Sequence, residues 1–376
     1  MTERPRVVIV GAGIIGASLA WHLQRRGAHV TVLDAEAPGG IATRHSWAWI
    51  NASWGNPETY FRLRYQSMRD WHQLGQDMPD LTVNWCGGLI WDMPPDELET
   101  YVTQHAAWGY DIRRINKAEI QRLEPHLANP PDTAAYVAEE GSVEPLAVTR
   151  ALLAAADALG AEIVSPALVQ AVDVQAGRIV GVVTETGRII ADHVILAAGV
   201  GTTRLAATAG FTLPLNSPPG LLAVTKRHTR LLNGLVMAPS VHIRQMADGR
   251  LIAGADFSGG TLPEDVQDAD AAAADAASEL LDTMCWLFAP RATLTLDRYT
   301  IGYRPTPGDG FPAVGRVPGV EGLSIAVTHS GITLAPIIGR GLADDILTGK
   351  IDPLLMPYGL GRFSGLATPS SDVLPD

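Results

Sequence analysis

Three glycines and one acid near the N-terminus have the spacing of a phosphate-binding turn. Gly11, Gly13 and Gly16 follow the apolar run VVIV as G-x-G-x-x-G, and Asp34 ends a second apolar run, HVTVL. In such a turn the first glycine permits a tight bend, the second lets the backbone approach a pyrophosphate, and the third brings helix and strand together. The acid can accept hydrogen bonds from both ribose hydroxyls. These residues predict a dinucleotide site, without deciding between FAD and NAD.

The residues around this turn predict the elements that would position it. VVIV is apolar without alternation, which is typical of a parallel strand covered on both faces. Ile15, Leu19 and Leu23 recur about one turn apart and predict a helix that stops at Gly27. HVTVL is the second strand of this βαβ unit. The free N–H groups at the helix start would face the phosphates, whose charge is opposite to that end of the helix dipole.

The composition restricts the class of protein and its partners. A length of 376 residues favours two domains, and 47% hydrophobic with 18% charged residues is ordinary for a well-packed enzyme. The net charge of -12 argues against nucleic acid or an anionic membrane surface as partner. Cys86 and Cys285 lie far apart and lack metal-ligand spacing, so they indicate neither a disulfide framework nor a metal site. Without a signal peptide or an apolar stretch long enough for a transmembrane segment, we expect a cytoplasmic protein.

Two kinds of segment alternate along the chain. A helix leads into a strand ending near Val164, and two hairpin strands then precede the buried strand HVILAAG, which we expect in the same sheet as VVIV. Strands dominate the region 211–298, with an Ala-rich helix from about Val266 to Phe288. The last quarter has turns, a strand LSIAV and a helix starting near Gly331.

This alternation predicts a fold that combines α/β and α+β parts in two domains. We expect a Rossmann-like FAD-binding domain, together with a discontinuous mixed β-sheet substrate domain. The first would comprise 1–50, 146–210 and 301–364, and the second 51–145 and 211–300. The active site would lie in the crevice between them.

Four segments together resemble the D-amino-acid oxidase superfamily of FAD-dependent oxidoreductases, in its glycine oxidase, sarcosine oxidase and D-amino-acid dehydrogenase branch. They are the N-terminal turn with Asp34, ATRHSWAWINA, ADHVILAAG, and the ending GYRPTPGDGFPAVG…THSGITLAP. The resemblance covers most of the chain, and its third and fourth segments are far more specific than the first. It implies FAD rather than NAD. The FAD would be non-covalent, because Ile301 stands where the sarcosine-oxidase branch carries the attachment cysteine.

The resemblance also implies which residues contact FAD. They fall into groups at the pyrophosphate, the adenosine, the flavin ring and its pyrimidine edge, where the start of a helix would stabilise the negative charge of the reduced flavin. The implied residues are Gly11, Gly13, Ile14, Ile15 and Gly16 at the pyrophosphate; Asp34, Ala35 and Val169 at the adenosine; Thr43, Arg44, Ser46 and Trp49 along the phosphates and ring; Ala198 and Gly199 closing over the cofactor; and Arg304, Ser330, Gly331, Ile332 and Thr333 at the flavin.

Arg304, in GYRP, matches the arginine that grips the substrate carboxylate in this branch. A guanidinium would do so bidentately and would fix the α-carbon near the flavin. His242 and His329 stand where glycine oxidase has a tyrosine and a second arginine, so simple glycine is not expected as substrate. Each histidine is either catalytic or a structural residue. Trp49 completes the catalytic candidates.

The loop from Ser46 to Asn56 is dense in tryptophan. Trp47, Trp49 and Trp54 either fill core volume or form an aromatic wall against the flavin or an apolar substrate group. A roomy aromatic pocket would suit an amine larger than glycine.

The function implied by the resemblance is oxidation of an amino acid or secondary amine by hydride transfer to flavin N5, giving an imine that hydrolyses. The electron acceptor would be O₂ or a quinone or other carrier. Three alternatives stay open at this point. They are a flavin monooxygenase, an NAD-dependent dehydrogenase, and a flavin-binding subunit of a larger oxidoreductase complex.

Overall fold

The computed structural model describes residues 4–53, 56–255 and 266–364, with 266–270 described by their backbone alone. Trp54, one of the three tryptophans predicted near the flavin, lies outside the described residues. Among those described, no helix is both long and apolar enough to cross a membrane.

The described chain forms helices and mostly short strands. In chain order these are β1 (Arg6–Val10), α1 (Ile14–Arg25), β2 (His29–Leu33), α2 (Ile41–Arg44), β3 (Trp49–Ile50), α3 (Glu58–Asp77), β4 (Gly88–Ile90), α4 (Pro95–Ala107), β5 (Ile112–Asn116), α5 (Lys117–Leu123), β6 (Thr133–Val137), β7 (Gly141–Ser142), α6 (Pro145–Ala158), β8 (Glu162–Val164), β9 (Val169–Gln175), β10 (Arg178–Thr184), β11 (Gly187–Ile190), β12 (His193–Leu196), α7 (Thr202–Thr208), β13 (Leu215–Asn216), β14 (Pro219–Thr225), β15 (Leu235–Ala238), β16 (Val241–Gln245), β17 (Leu251–Gly254), α8 (Val266–Trp286), β18 (Leu296–Tyr303), β19 (Thr306–Pro307), β20 (Ala313–Arg316), β21 (Leu323–Val327) and α9 (Gly331–Thr348). Short 3₁₀ helices lie at Gly199–Gly201, Met356–Tyr358 and Leu360–Phe363.

A six-stranded sheet carries the predicted dinucleotide turn. Its order is β20-β21-β12-β1-β2-β8, with β1 parallel to both β2 and β12. The pairing of β1 with β12 confirms that VVIV and HVILAAG share one sheet. Helix α1 packs against α6 and α9, which cover one face of the sheet with apolar side chains. All β1 residues after Arg6 are buried, as expected for a strand covered on both faces.

An eight-stranded mixed sheet forms a second layer, in the order β18-β14-β17-β16-β15-β4-β6-β5. Its strands come from residues 88–137 and 219–303, so it is discontinuous in sequence. Neighbouring strands pair antiparallel except β4 and β15, which are parallel. Strand β18 pairs Ile301 with Leu221 and continues to Tyr303. The domain boundary predicted at 300/301 therefore falls inside a strand of this sheet.

Strands β15 and β20 are among the elements that the sequence patterns did not indicate. Strand β15 is only four residues long, and β20 lies among proline and glycine residues that favour turns. These short segments are strands because longer neighbours on the sheet supply their hydrogen-bond partners. The helices predicted at Ile15–Leu23, Val266–Phe288 and Gly331 are confirmed, with small shifts at their ends.

The turn after β1 brings backbone against backbone. A Cβ at Gly16 would lie 1.9 Å from the carbonyl oxygen of Gly11, and one at Gly11 would lie 2.4 Å from the carbonyl oxygen of Ala197. Gly11 also has φ +109°, a conformation that L side chains rarely adopt. The third glycine thus has the predicted packing role, and α1 can start directly above the strand.

We expect Gly16→Ala to lower the free energy of unfolding by roughly 1–3 kcal/mol, since the added methyl must push α1 away from β1. Gly75→Ala is the matched control. It lies in α3, where a methyl added to its Cα would meet no atom within 4 Å, so the substitution should stabilise the protein by about 1 kcal/mol through helix propensity. Urea unfolding of both variants measures the difference. Equal stability of the two variants would contradict the packing role of Gly16.

Candidate active site

A cavity of about 700 Å³ opens where the strands of the first sheet end. Val10, Leu33 and Ala197, at the carboxyl ends of β1, β2 and β12, line one part of it. Residues of β14, β16, β17 and β18 from the second sheet line another part. Crevices at the carboxyl ends of parallel strands are the usual ligand sites of open α/β sheets.

Most of the predicted site residues line this one cavity. They are Gly11, Gly13, Ile14, Ile15, Asp34, Ala35, Thr43, Ser46, Trp49, Val169, Ala198, Gly199, His242, Arg304, His329, Ser330, Gly331, Ile332 and Thr333. Gly16 and Arg44 are not among its lining residues. Gly16 packs under the turn, and the Arg44 guanidinium donates hydrogen bonds to the carbonyl oxygens of Gly40 and Ala37.

At one end of the cavity, Asp34 is tied to the glycine turn. Its Oδ2 accepts a hydrogen bond of 2.6 Å from the backbone N–H of Ala12, and its Oδ1 accepts one from that of Glu36. Thr43 Oγ1 accepts a 3.1 Å hydrogen bond from the N–H of Ile14 at the start of α1. The start of α1 and the carboxylate are thus held in fixed positions along the cavity wall. This geometry fits the diphosphate and ribose of a dinucleotide.

Trp47 and Trp49 also line the cavity, with ring centroids 5.8 Å apart and planes at 81°. Trp47 Nε1 donates to the carbonyl oxygen of Ile252 at 3.2 Å, and Trp49 Nε1 donates to Glu140 Oε2 at 2.8 Å. Both indoles are therefore fixed by hydrogen bonds while their rings face the cavity. Of the two interpretations of these tryptophans, the aromatic wall fits their position better than core filling alone.

Glu140 is a buried carboxyl group that the sequence patterns did not single out. Besides Trp49, it accepts hydrogen bonds from the Tyr110 hydroxyl at 2.6 Å and from the Ser53 hydroxyl. Burial raises the pKa of Glu140 from 4.5 to about 7, although the hydrogen bonds and the positive charge of Arg64 favour the carboxylate. No motif surrounds this residue in the sequence, since its partners come from distant segments.

The first turn of α9 is held by side chains of α3 and by the backbone of β3. Pro336 cannot donate to the carbonyl oxygen of Ile332, and Trp71 Nε1 donates to that oxygen instead at 3.0 Å. Thr333 Oγ1 donates to the carbonyl oxygen of Trp49 at 3.0 Å. Ser330, the residue before the helix, lines the cavity. The N-terminus of α9, with its positive dipole end, is thereby fixed at the cavity.

Arg64 of α3 reaches the same place. Its guanidinium donates to Ser330 Oγ at 2.6 Å and to both oxygens of Asn51, and the residue is 6% exposed. The sequence contains an indication that this arginine is buried. Arg64 occupies the helical stripe that also contains Tyr60, Ser67 and Trp71, where a buried apolar residue would be ordinary.

Arg304 directly follows β18 and is exposed to the cavity. Within the described part of the chain, no carboxylate lies within 4.0 Å of its guanidinium. Its Nε and one terminal nitrogen lie beside Gly220, where a Cβ would be 3.4 Å away. This guanidinium is therefore available to an anion in the cavity.

His242 Nε2 lies 2.8 Å from Asp92 Oδ2, and the Asp92 side chain is only 4% exposed. Sheet register brings the pair together. On β15, Met237 pairs with His242 of β16 on one side and with Ile90 of β4 on the other. Asp92 lies two residues after Ile90. Sequence reasoning missed Asp92 because this pairing depends on register between distant strands.

His329 lines the cavity with Arg64 and Arg304. Its Nδ1 lies 3.0 Å from Ser330 Oγ. Burial among the cavity-wall atoms, and then the positive charges of Arg64 and Arg304, lower the pKa of His329 from 6.5 to about 4. The ring is consequently neutral at pH 7.

Residues 6–345 match the sequence profile of the family described as DAO, FAD dependent oxidoreductase. The chain belongs to this family. It is 26% identical to a glycine oxidase of Bacillus licheniformis, over 93% of this chain and 95% of that protein. It is 25% identical to one of the subunits of the opine oxidase of Agrobacterium tumefaciens, over 95% and 97%. The crystal structure of L-proline dehydrogenase from P. horikoshii shares the fold, with a TM-score of 0.84 and 22% identity over 96% and 98% of the two chains.

Family membership decides between FAD and NAD, a choice that the glycine turn left open. The protein is an FAD-dependent oxidoreductase, and the predicted mixed fold with a Rossmann-like part is confirmed. The residues that line the cavity are compatible with bound FAD. Its floor at Gly11 and Ala197 leaves no room for a side chain, and its wall extends from Asp34 to the start of α9.

The raised pKa of Glu140 predicts how the free energy of unfolding depends on pH. Between pH 4.5 and about 7 the unfolded chain ionises this carboxyl group while the folded chain keeps its proton, so its contribution to the free energy of unfolding falls as pH rises. In Glu140→Gln this contribution is absent. The stability difference, wild type minus variant, should be about 3 kcal/mol larger at pH 4.5 than at pH 7.5.

Urea unfolding of the FAD-free proteins at several pH values measures this difference. Glu139→Gln is the matched control. Burial raises the pKa of Glu139 as well, but the residue is more exposed, so its difference should change with pH in the same direction and by less. A pH-independent difference for Glu140→Gln would contradict the proposed protonation.

Proposed function

We propose that the protein oxidises the C–N bond of an amino acid or secondary amine that carries a free carboxylate. The observation that carries this proposal is Arg304, a guanidinium at the cavity without a carboxylate within 4.0 Å in the described residues. A guanidinium binds a carboxylate through parallel N–H···O hydrogen bonds and so fixes its orientation. Relatives named glycine oxidase and opine oxidase support a substrate of this class.

The proposed reaction removes two protons and two electrons from the substrate. One hydrogen leaves the α-carbon and one leaves the nitrogen, and water then hydrolyses the imine to an oxo product and ammonia or a smaller amine. FAD, when bound, supplies the two-electron oxidation. The terminal acceptor is O₂ or a quinone or other carrier.

The chain's own residues would bind and orient the substrate. Arg304 would hold the carboxylate, and Trp47 and Trp49 would exclude water from one side of the cavity. The neutral ring of His329 can hydrogen-bond an amine without repelling it. His242, fixed by Asp92, would set which substituents the other wall accepts.

We also propose the domain division. The first sheet with its helices would form the FAD-binding domain from 1–50, 146–210 and 301–364, and the second sheet would form the substrate domain from 51–145 and 211–300. The course of β18 supports a boundary a few residues later, after Tyr303.

The visible spectrum of the FAD-loaded protein tests the proposed reaction. Under anaerobic conditions, amino acids and secondary amines with a free carboxylate should bleach the yellow colour, whereas the corresponding amines without a carboxylate should not. Return of colour in air would identify O₂ as acceptor, and persistent bleaching would indicate a carrier. Bleaching by none of these compounds would refute the proposal.

Arg304→Ala should raise KM for the bleaching substrate by at least about 100-fold, because a charge-assisted bidentate contact is lost. Arg298→Ala is the matched control. It lies on the same strand, pairs with Asp297 and is absent from the cavity lining, so its KM should equal that of the wild type. Steady-state kinetics measure both variants, and an unchanged KM for Arg304→Ala would remove Arg304 from the site.

A second candidate is a flavin-binding subunit that requires a partner protein for turnover. The similarity to a subunit of opine oxidase, across nearly the whole length of both chains, favours this candidate. Substrate bleaching by the isolated chain would argue against it. Bleaching that appears only with a copurified protein would support it.

A further inference from the structure

Arg64 is a buried cation with neutral partners. Its three hydrogen bonds go to the backbone oxygen and side-chain oxygen of Asn51 and to the Ser330 hydroxyl. The guanidinium also lies 5.4 Å from the centre of the Tyr60 ring. In the described residues, no carboxylate lies within 4.0 Å of it. Buried charges in proteins are ordinarily paired, because removing an ion from water costs several kcal/mol.

Glu140 is the nearby carboxyl group whose pKa responds to Arg64, but it compensates the charge poorly. Its two oxygens already accept from Trp49, Tyr110 and Ser53. Since burial raises its pKa to about 7, a large share of the molecules carry a neutral Glu140 at neutral pH. The countercharge for Arg64 must therefore come in large part from something else.

The position of Arg64 indicates where that countercharge lies. Arg64 and Ser330 both line the cavity, and Ser330 immediately precedes α9. A guanidinium and the positive end of a long helix dipole thus converge on one point of the cavity wall. A guanidinium also has more N–H donors than the three that Arg64 uses within the protein.

We propose that Arg64 binds the negative charge that the pyrimidine end of the flavin acquires on reduction. This inference rests on the proposed function and on the placement of that end of FAD at Ser330–Thr333, which the family resemblance implies. Two electrons and one proton added to the flavin, which together are one hydride, leave a negative charge over N1 and the C2 carbonyl oxygen. Arg64 and the start of α9 would share its stabilisation and so raise the reduction potential.

A substrate carboxylate is the other anion that could reach Arg64. The flavin is favoured because Arg64 is buried and locked to Asn51 and Ser330 beside the helix start. Arg304, by contrast, is exposed to the cavity and is the better placed of the two for an anion that enters and leaves. The two sources can be separated by experiment.

Sulfite tests the proposal without substrate or turnover. It adds to flavin N5 and leaves the same negative charge over N1 and the C2 carbonyl, so its dissociation constant reports the stabilisation of that charge. We expect Arg64→Met and Arg64→Gln to weaken sulfite binding by at least about tenfold. Arg64→Lys, which keeps the charge, should stay within a few-fold of the wild type.

Arg340→Met is the matched control. Arg340 lies on α9 itself, outside the cavity lining and paired with Asp70 and Asp352, so its loss changes the net charge equally but should leave sulfite affinity unchanged. Dye-equilibrium measurement of the reduction potential provides an independent readout. The potential of the neutral Arg64 variants should fall by ~30 mV for each tenfold loss of affinity.

The outcomes separate the possibilities. Sulfite affinity that is equal in wild type, Arg64→Gln and Arg64→Met overturns the proposal. If those variants instead lose affinity for benzoate, a carboxylate probe, while sulfite binding is kept, Arg64 binds substrate and the flavin assignment is wrong. If Arg64→Met does not take up FAD, the comparison of Arg64→Gln with Arg64→Lys still decides. A wild-type protein that takes up no FAD would refute the proposed function itself.

Discussion

The contact of backbone with backbone beneath the glycine turn is the constraint on which the cavity depends. Gly16 lies against the carbonyl of Gly11, and Gly11 lies against that of Ala197, so three segments meet where no side chain fits. This contact sets the start of α1 directly above the ends of β1 and β12. Because the floor is made of backbone, its shape depends little on side-chain rotamers, and the helix start stays directed at the cavity.

Side-chain hydrogen bonds, and not a backbone contact, fix the start of α9. Pro336 inside the helix leaves the carbonyl oxygen of Ile332 without its helical donor, and Trp71 Nε1 of α3 donates a hydrogen bond to that oxygen. Through Thr333 the same turn is bonded to the segment that carries Trp49. The aromatic wall, the helix dipole and the Arg64 guanidinium therefore belong to one rigid unit. Rigid placement of charges is what allows a site to stabilise charge without reorganising during the reaction.

Charge is distributed unevenly along the cavity. Asp34, Glu36 and Arg204 line the part of the cavity predicted to bind the adenosine, whereas Arg64 and Arg304 line the part predicted to bind the flavin. The net charge of the chain is -12, so the charge of these two arginines is opposite in sign to that of the chain as a whole. An anion is drawn to that part of the cavity by local groups and not by the overall field. Burial is the main reason for the low pKa of His329, and the positive charges of both arginines lower it further.

The family resemblance of the sequence implied many of the residues that line the cavity. The residue spacing by itself determined the βαβ turn and the helix at Gly331. These features depend on local spacing, because glycine, capping and periodicity act over a few residues. The sequence did not indicate Asp92, Glu140 or the partners of Arg64. Their roles follow from which strands are neighbours and in what register, and from how α3 packs on α9. A charge buried among distant segments acquires its pKa and its partners only when those segments meet, so the tertiary structure alone decided them.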